Sequence, residues 1–138
     1  MRHRLGLAIA AFLLAALTPA RAAQDDSINV ELNSVEAAQA KCRLAFVIDN
    51  KDEIALETLK LDLAVFNRDG VVQRRLVIEM GPVRRAKTMV RTFEIDGDCS
   101  QIGSILVNDV TACAPGEPGA CLDRLTLTSR VSGIRLYK

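Results

Sequence analysis

After a polar start, A-Q-D-D-S at 23–27, the chain reads as a succession of short strands separated by turn residues every 8 to 15 positions. The alternation is cleanest in L-K-L-D-L-A-V-F at 59–66. There Leu59, Leu61, Leu63 and Val65 fall at period two with Lys60 and Asp62 between them. That spacing puts the four apolar side chains on one face of a strand, against a core, and predicts a wetter opposite face. Ile28, Val30 and Leu32 alternate in the same way, and the β-rich run R-L-A-F-V-I-D at 43–49 is ended by N-K-D-E. Further strands are predicted over 71–79, ended by Gly81-Pro82, and over 88–95, with Met89, Phe93 and Ile95 on one side and Arg91 at its rim. Asp96-Gly97-Asp98 turns the chain. Strands over 104–111, 122–128 and 134–137 complete the set, the last two joined by a bend near Ser132-Gly133. No sustained helical period occurs, although residues 35–41, rich in Ala and Glu, predict a single helical turn.

The start of the chain has a different character. Arg2, His3 and Arg4 precede an apolar run at 5–17, which Thr18-Pro19 break before Ala20-Arg21-Ala22. This is the pattern of a secretory signal peptide, cleaved after Ala22 and exported by the general Sec route. The run is too short for the roughly 20 apolar residues of a membrane-spanning helix. Removing 1–22 leaves 138 − 22 = 116 residues, the size of one domain over 23–138. No internal repeat, low-complexity segment or dividing linker occurs in it.

Export changes the reading of the cysteines. An even count, Cys42, Cys99, Cys113 and Cys121, predicts two disulfides in an oxidising, periplasmic compartment. Cys113 and Cys121 flank A-P-G-E-P-G-A, whose turn signals bring the loop ends together, which leaves Cys42 for Cys99. Seven or eight strands without intervening helices, stapled early to late, predict an all-β fold: an antiparallel immunoglobulin-like β-sandwich. The absence of tryptophan excludes antibody-type domains.

The signal carries three of the 18 basic residues and none of the 17 acidic ones, so the exported domain holds 15 against 17. A near-neutral domain argues against nucleic acid as a partner. One basic cluster stands out: Arg84, Arg85, Lys87 and Arg91, with Arg74 and Arg75 on the preceding strand. Pairing of the two strands across Gly81-Pro82 predicts a single patch able to meet phosphate or carboxylate groups. The competing reading is a solvated edge whose like charges discourage sheet association.

Other chemistry is scarce. Asn67-Arg68-Asp69-Gly70 has the spacing of half a calcium loop, but Val65 and Leu76 fall where the loop needs its first ligand and its bidentate glutamate. A tight turn accounts for the same residues, and Asp96-Gly97-Asp98 reads alike. The only histidine, His3, lies in the signal, no S-x-x-K occurs, and no spacing singles out a carboxylate pair. No enzyme, cofactor or metal site is therefore expected.

The runs C-R-L-A-F-V-I-D-N-K, L-K-L-D-L-A-V-F-N-R-D-G-V-V, V-R-T-F-E-I-D-G-D-C and I-L-V-N-D-V-T-A-C resemble a family of small exported, periplasmic proteins of proteobacteria. The N-terminal half is also similar to the FxLYD-type immunoglobulin-like domains of bacterial surface proteins, with Asn50 and Phe66-Asn67-Arg68-Asp69-Gly70 at the strand ends. The resemblance implies a fold and a compartment, and it carries no catalytic or binding residues. The expectation is a non-catalytic interaction or accessory module whose partner is an envelope protein or an anionic envelope component. The alternative is an inhibitor of an envelope hydrolase presenting the loop around Pro115 and Pro118, ahead of a calcium-dependent binding protein or enzyme.

Overall fold

The computed structural model describes residues 28–138. The signal peptide read at 1–22 lies outside the described residues. Among the described residues, eight strands form two sheets. One is built from β1 (Ile28–Ala38), β2 (Lys41–Asn50), β5 (Lys87–Asp96) and β7 (Leu125–Ser129) in the order β5-β2-β1-β7. The other is built from β3 (Thr58–Asn67), β4 (Val72–Glu79), β6 (Ile102–Ala114) and β8 (Arg135–Tyr137) in the order β4-β3-β6-β8.

The period-two pattern explains the core between them. Ile28, Val30 and Leu32 from β1, Leu44, Phe46 and Ile48 from β2, Leu59, Leu61 and Leu63 from β3 and Ile105 and Val107 from β6 are all buried in one cluster. Each such side chain, fully buried, stabilises the fold by about 1.5–3 kcal/mol. The bridges are Cys42–Cys99 and Cys113–Cys121, the pairing that the turn signals predict. The fold is a disulfide-stapled β-sandwich.

Three local expectations are corrected. Residues 35–41 form no helical turn: β1 runs on to Ala38 and pairs with β2 through Val35↔Leu44 and Ala38↔Lys41, the chain reversing at Gln39 and Ala40. The continuing ladder satisfies the backbone and outweighs the helix preference of Ala and Glu. Second, the loop at 113–121 contains a short helix, α1 (Pro118–Asp123), which starts on proline, a residue suited to that position because the first-turn N–H is unpaired in any case. Third, the sandwich is not wholly antiparallel. β7 runs parallel to β1, and β8 runs parallel to β6. Instead of returning as a hairpin, the chain leaves β6 through the Cys113–Cys121 bridge and α1 and joins the opposite sheet. The terminal Lys138 fastens this arrangement, its Nζ donating to the carbonyl oxygens of Leu122, Asp123 and Leu125 at 2.9, 3.2 and 2.6 Å. A cation there complements the carbonyl end of α1.

The outer face of β3 is only partly wet. Lys60 is exposed, whereas Asp62 is buried because Asn108 donates to its Oδ2 at 2.8 Å and Arg75 pairs with the same oxygen. These bonds hold the Asp62 carboxyl below its ordinary range, the bond from Asn108 being the larger cause and Arg75 adding to it against the opposing effect of burial.

Candidate functional site

The basic cluster is divided by the fold. β4 pairs with β3 and β5 with β2, so the two strands sit at edges of different sheets and do not pair across Gly81-Pro82. The inward apolar faces of both strands already belong to separate sheets of the sandwich, and a local hairpin between them would leave one of those faces without a core. Arg74 lies beside the far end of β5, where it donates to the carbonyl of Asp96 at 2.8 Å and stands 3.6 Å from its carboxylate. Arg75 is committed to Asp62. Arg91 donates to the carbonyl of Pro82 at 2.9 Å, which ties the start of the connection back to β5.

Arg84, Arg85 and Lys87 remain together at the other end of β5, all exposed, and none forms an ion pair with a described residue. They are held by a structure that sequence reasoning missed. Residues 83–86 run antiparallel to the β2–β3 connection: Leu56 and Val83 exchange both backbone hydrogen bonds, at 2.8 and 2.7 Å, and the Ala86 N–H donates to the Asp52 carbonyl at 3.0 Å. Asn50, only 1% exposed, fills the space at the base of this ribbon. Its Nδ2 donates to the carbonyls of Ile54 at 3.0 Å and Arg84 at 3.1 Å, and its Oδ1 accepts from the Asp52 N–H at 3.0 Å. A buried amide with these bonds made is a strong local constraint, since removing it strands three backbone groups.

The ribbon and the strand ends beside it are further tied to their neighbours. Asp52 pairs with Arg124 at the end of α1, so its charge is already met. Asp49 accepts from the Thr88 hydroxyl at 2.9 Å. Lys51 and Ile54 are exposed on the same ribbon, and they complete a corner with Arg84, Arg85 and Lys87. The only sequence sign of this corner was the polar break N-K-D-E after β2, which marks a strand end whether its Asn is solvated or buried.

The turn at 67–70 is accounted for by its own bonds. Asn67 Oδ1 accepts from the Asp69 and Val71 N–H groups at 3.0 and 2.9 Å, and Gly70 takes φ +79°. The oxygen that a cation would need is engaged by the backbone. Asp98 likewise accepts from the Ser100 N–H at 2.8 Å, which holds its carboxyl below the ordinary range. A cavity of about 180 Å³ opens at this opposite end of the sandwich, lined by Cys42, Val65, Ile95 and Ile102 together with Arg74 and Asp96. The loop closed by Cys113 and Cys121 exposes Ala114 to Glu117, its base fixed by the Glu57 N–H donating to the Ala114 carbonyl at 2.7 Å.

With this geometry in hand, the comparisons with known proteins are narrow. The fold is similar to that of IrmA from Escherichia coli, known from its structural characterization: TM-score 0.57 and 15% identity, over 72% of this chain and 89% of that one. At that identity the likeness shows the fold alone. No protein-family model and no curated protein matches the chain, so the FxLYD-like resemblance leads to no family assignment. No helix among the described residues is long and apolar enough to cross a membrane.

Proposed function

We propose that the protein is a non-catalytic interaction module of the bacterial envelope, exported to the periplasm behind its signal peptide as an immunoglobulin-like domain. Its contact surface is the basic corner of Arg84, Arg85 and Lys87. The observation that carries the reading is Asn50. A solvated edge needs like charges and no internal support, yet here a buried amide fastens the backbone of the cation-bearing segment to the neighbouring connection. Preorganisation of that kind lowers the ordering cost of binding an anionic partner. The fold supplies the frame, and the corner supplies the site.

The test is crosslinking in cells followed by capture from the envelope fraction. Arg84→Glu with Arg85→Glu should lose the crosslinked species, while Lys41→Glu, at the opposite end of β2, should keep it. Capture that survives the Arg84/Arg85 reversal overturns the reading.

A further inference from the structure

The basic corner carries an apolar residue that a purely ionic site does not need. Among the described residues the large exposed hydrophobics are Ile54, Val71, Val72, Val77 and Val90. The four valines lie on β4, on the turn before it and on β5, along the sheet edges. Ile54 instead sits in the ribbon, 51% exposed, with its carbonyl bound by the same Asn50 amide that binds the Arg84 carbonyl. Through these two bonds the Asn50 amide sets the Ile54 backbone next to that of Arg84.

We infer that the corner docks on an anionic lipid surface, with Ile54 entering the apolar layer below the headgroups and the cations meeting the phosphates around it. This rests on the reading of the corner as the contact surface and names its partner. A polysaccharide or nucleic acid would call for cations, hydrogen-bond donors or a flat aromatic stacking face, none of which Ile54 supplies. An exposed branched aliphatic residue with its backbone fastened next to a cationic segment matches the two-layer chemistry of a bilayer interface. The charge has the required sign: Lys51, Arg84, Arg85 and Lys87 outnumber the carboxylates of Asp49 and Glu53, Asp52 being matched by Arg124. Glu57, exposed three residues further on, adds one carboxylate and leaves the cations in excess. Each cation at such a surface strengthens binding about fivefold, and burial of an exposed isoleucine adds roughly tenfold.

The experiment uses the processed chain, because the apolar run at 5–17 would bind vesicles by itself. The parent protein is sedimented with vesicles of phosphatidylethanolamine containing phosphatidylglycerol, and with phosphatidylcholine vesicles. It should bind the first, weaken as salt is raised, and ignore the second. The chain has no tryptophan, so Ile54→Trp creates a single reporter. Its emission should shift to the blue on the anionic vesicles, and adding Arg84→Glu and Arg85→Glu should abolish the shift. Ile54→Asp should lower parent binding about tenfold or more. The inference is overturned if the parent chain does not sediment with the anionic vesicles, if the tryptophan emission does not move, or if zwitterionic vesicles move it equally. If crosslinked capture depends on Arg84 and Arg85 while vesicles are not bound, the partner is a protein or a soluble polyanion: the corner keeps its role and the lipid assignment fails.

Discussion

The side-chain amide of Asn50 donates to the main-chain carbonyl of Arg84 at 3.1 Å, from a position that is 1% exposed. One buried residue at the end of β2 thus fixes a segment 34 positions further along the chain. Replacing Asn50 with Ala leaves the Ile54 and Arg84 carbonyls and the Asp52 N–H without their partner. The expected loss is about 2–3 kcal/mol in urea unfolding. A second readout separates local from global effects: hydrogen exchange at the Ala86 amide should accelerate much more than at amides in the middle of β2. Equal acceleration at both would show that Asn50 supports the whole sandwich rather than the corner.

The two bridges should differ in weight because they close loops of different length. Their sequence separations are 57 for Cys42–Cys99 and 8 for Cys113–Cys121. Chain-entropy reasoning gives about 4 kcal/mol for the first and about 2.5 kcal/mol for the second. Cys42→Ala with Cys99→Ala should therefore lower unfolding stability more than Cys113→Ala with Cys121→Ala. The reverse order would mean that the link from β6 through α1 to β7 depends on its bridge beyond the entropy of closure.

Much of this architecture is legible in the sequence, and what is not has a physical reason. Period-two alternation at Leu59, Leu61, Leu63 and Val65 identifies a strand and its buried face, because side chains on a pleat point to opposite sides. It does not identify the neighbouring strand. β4 and β5 are adjacent in sequence and flank a turn signal, yet each pairs with a partner in a different sheet. That separates Arg74 and Arg75 from Arg84, Arg85 and Lys87 by about the length of β5, roughly 30 Å for its ten residues. The strands at β7 and β8 are legible, but their parallel pairing was hidden for the same reason, since pairing at long range leaves no local pattern. Asp62 and Asn50 are buried polar residues whose partners come from other strands and loops, so alternation alone reads the first as solvated and the second as a strand end. Ile54 directly follows the polar break N-K-D-E, and only the Asn50 bonds to the Ile54 and Arg84 carbonyls show that it stands next to the cationic segment.

Acid should weaken the fold through carboxylates that the native structure holds in their charged form. Asp62 is lowered chiefly by its bond from Asn108, Glu31 chiefly by its bond from Asn33 with Arg130 assisting, and Asp98 by the Ser100 amide. Each group prefers the charged state more when folded than when unfolded, so its contribution is fully present above the unfolded value, about pH 4. It is lost as pH falls through the lower folded value. Unfolding free energy should be level from pH 7 to about 5 and should decline below about 4. Asp62→Asn should be less stable at pH 7 and should show a shallower decline. An equally steep acid limb in that variant would assign the linkage to other carboxylates.

The turn between β3 and β4 tests the difference between a cation loop and a hairpin corner. Gly70 has φ +79° with open space where a Cβ would lie, so a substitution there meets backbone strain and no steric clash. Gly70→Val should cost about 1–2 kcal/mol, the penalty of a β-branched residue in the left-handed region. Asn67→Ala should destabilise by a similar amount through the loss of two accepted bonds. Because the Asn67 oxygen is already engaged by the Asp69 and Val71 amides, saturating calcium should leave the melting temperature of the parent and of both variants unchanged. A calcium-dependent rise in the parent that disappears in Asn67→Ala would show that the cation displaces those amides, and the turn would then be a binding loop.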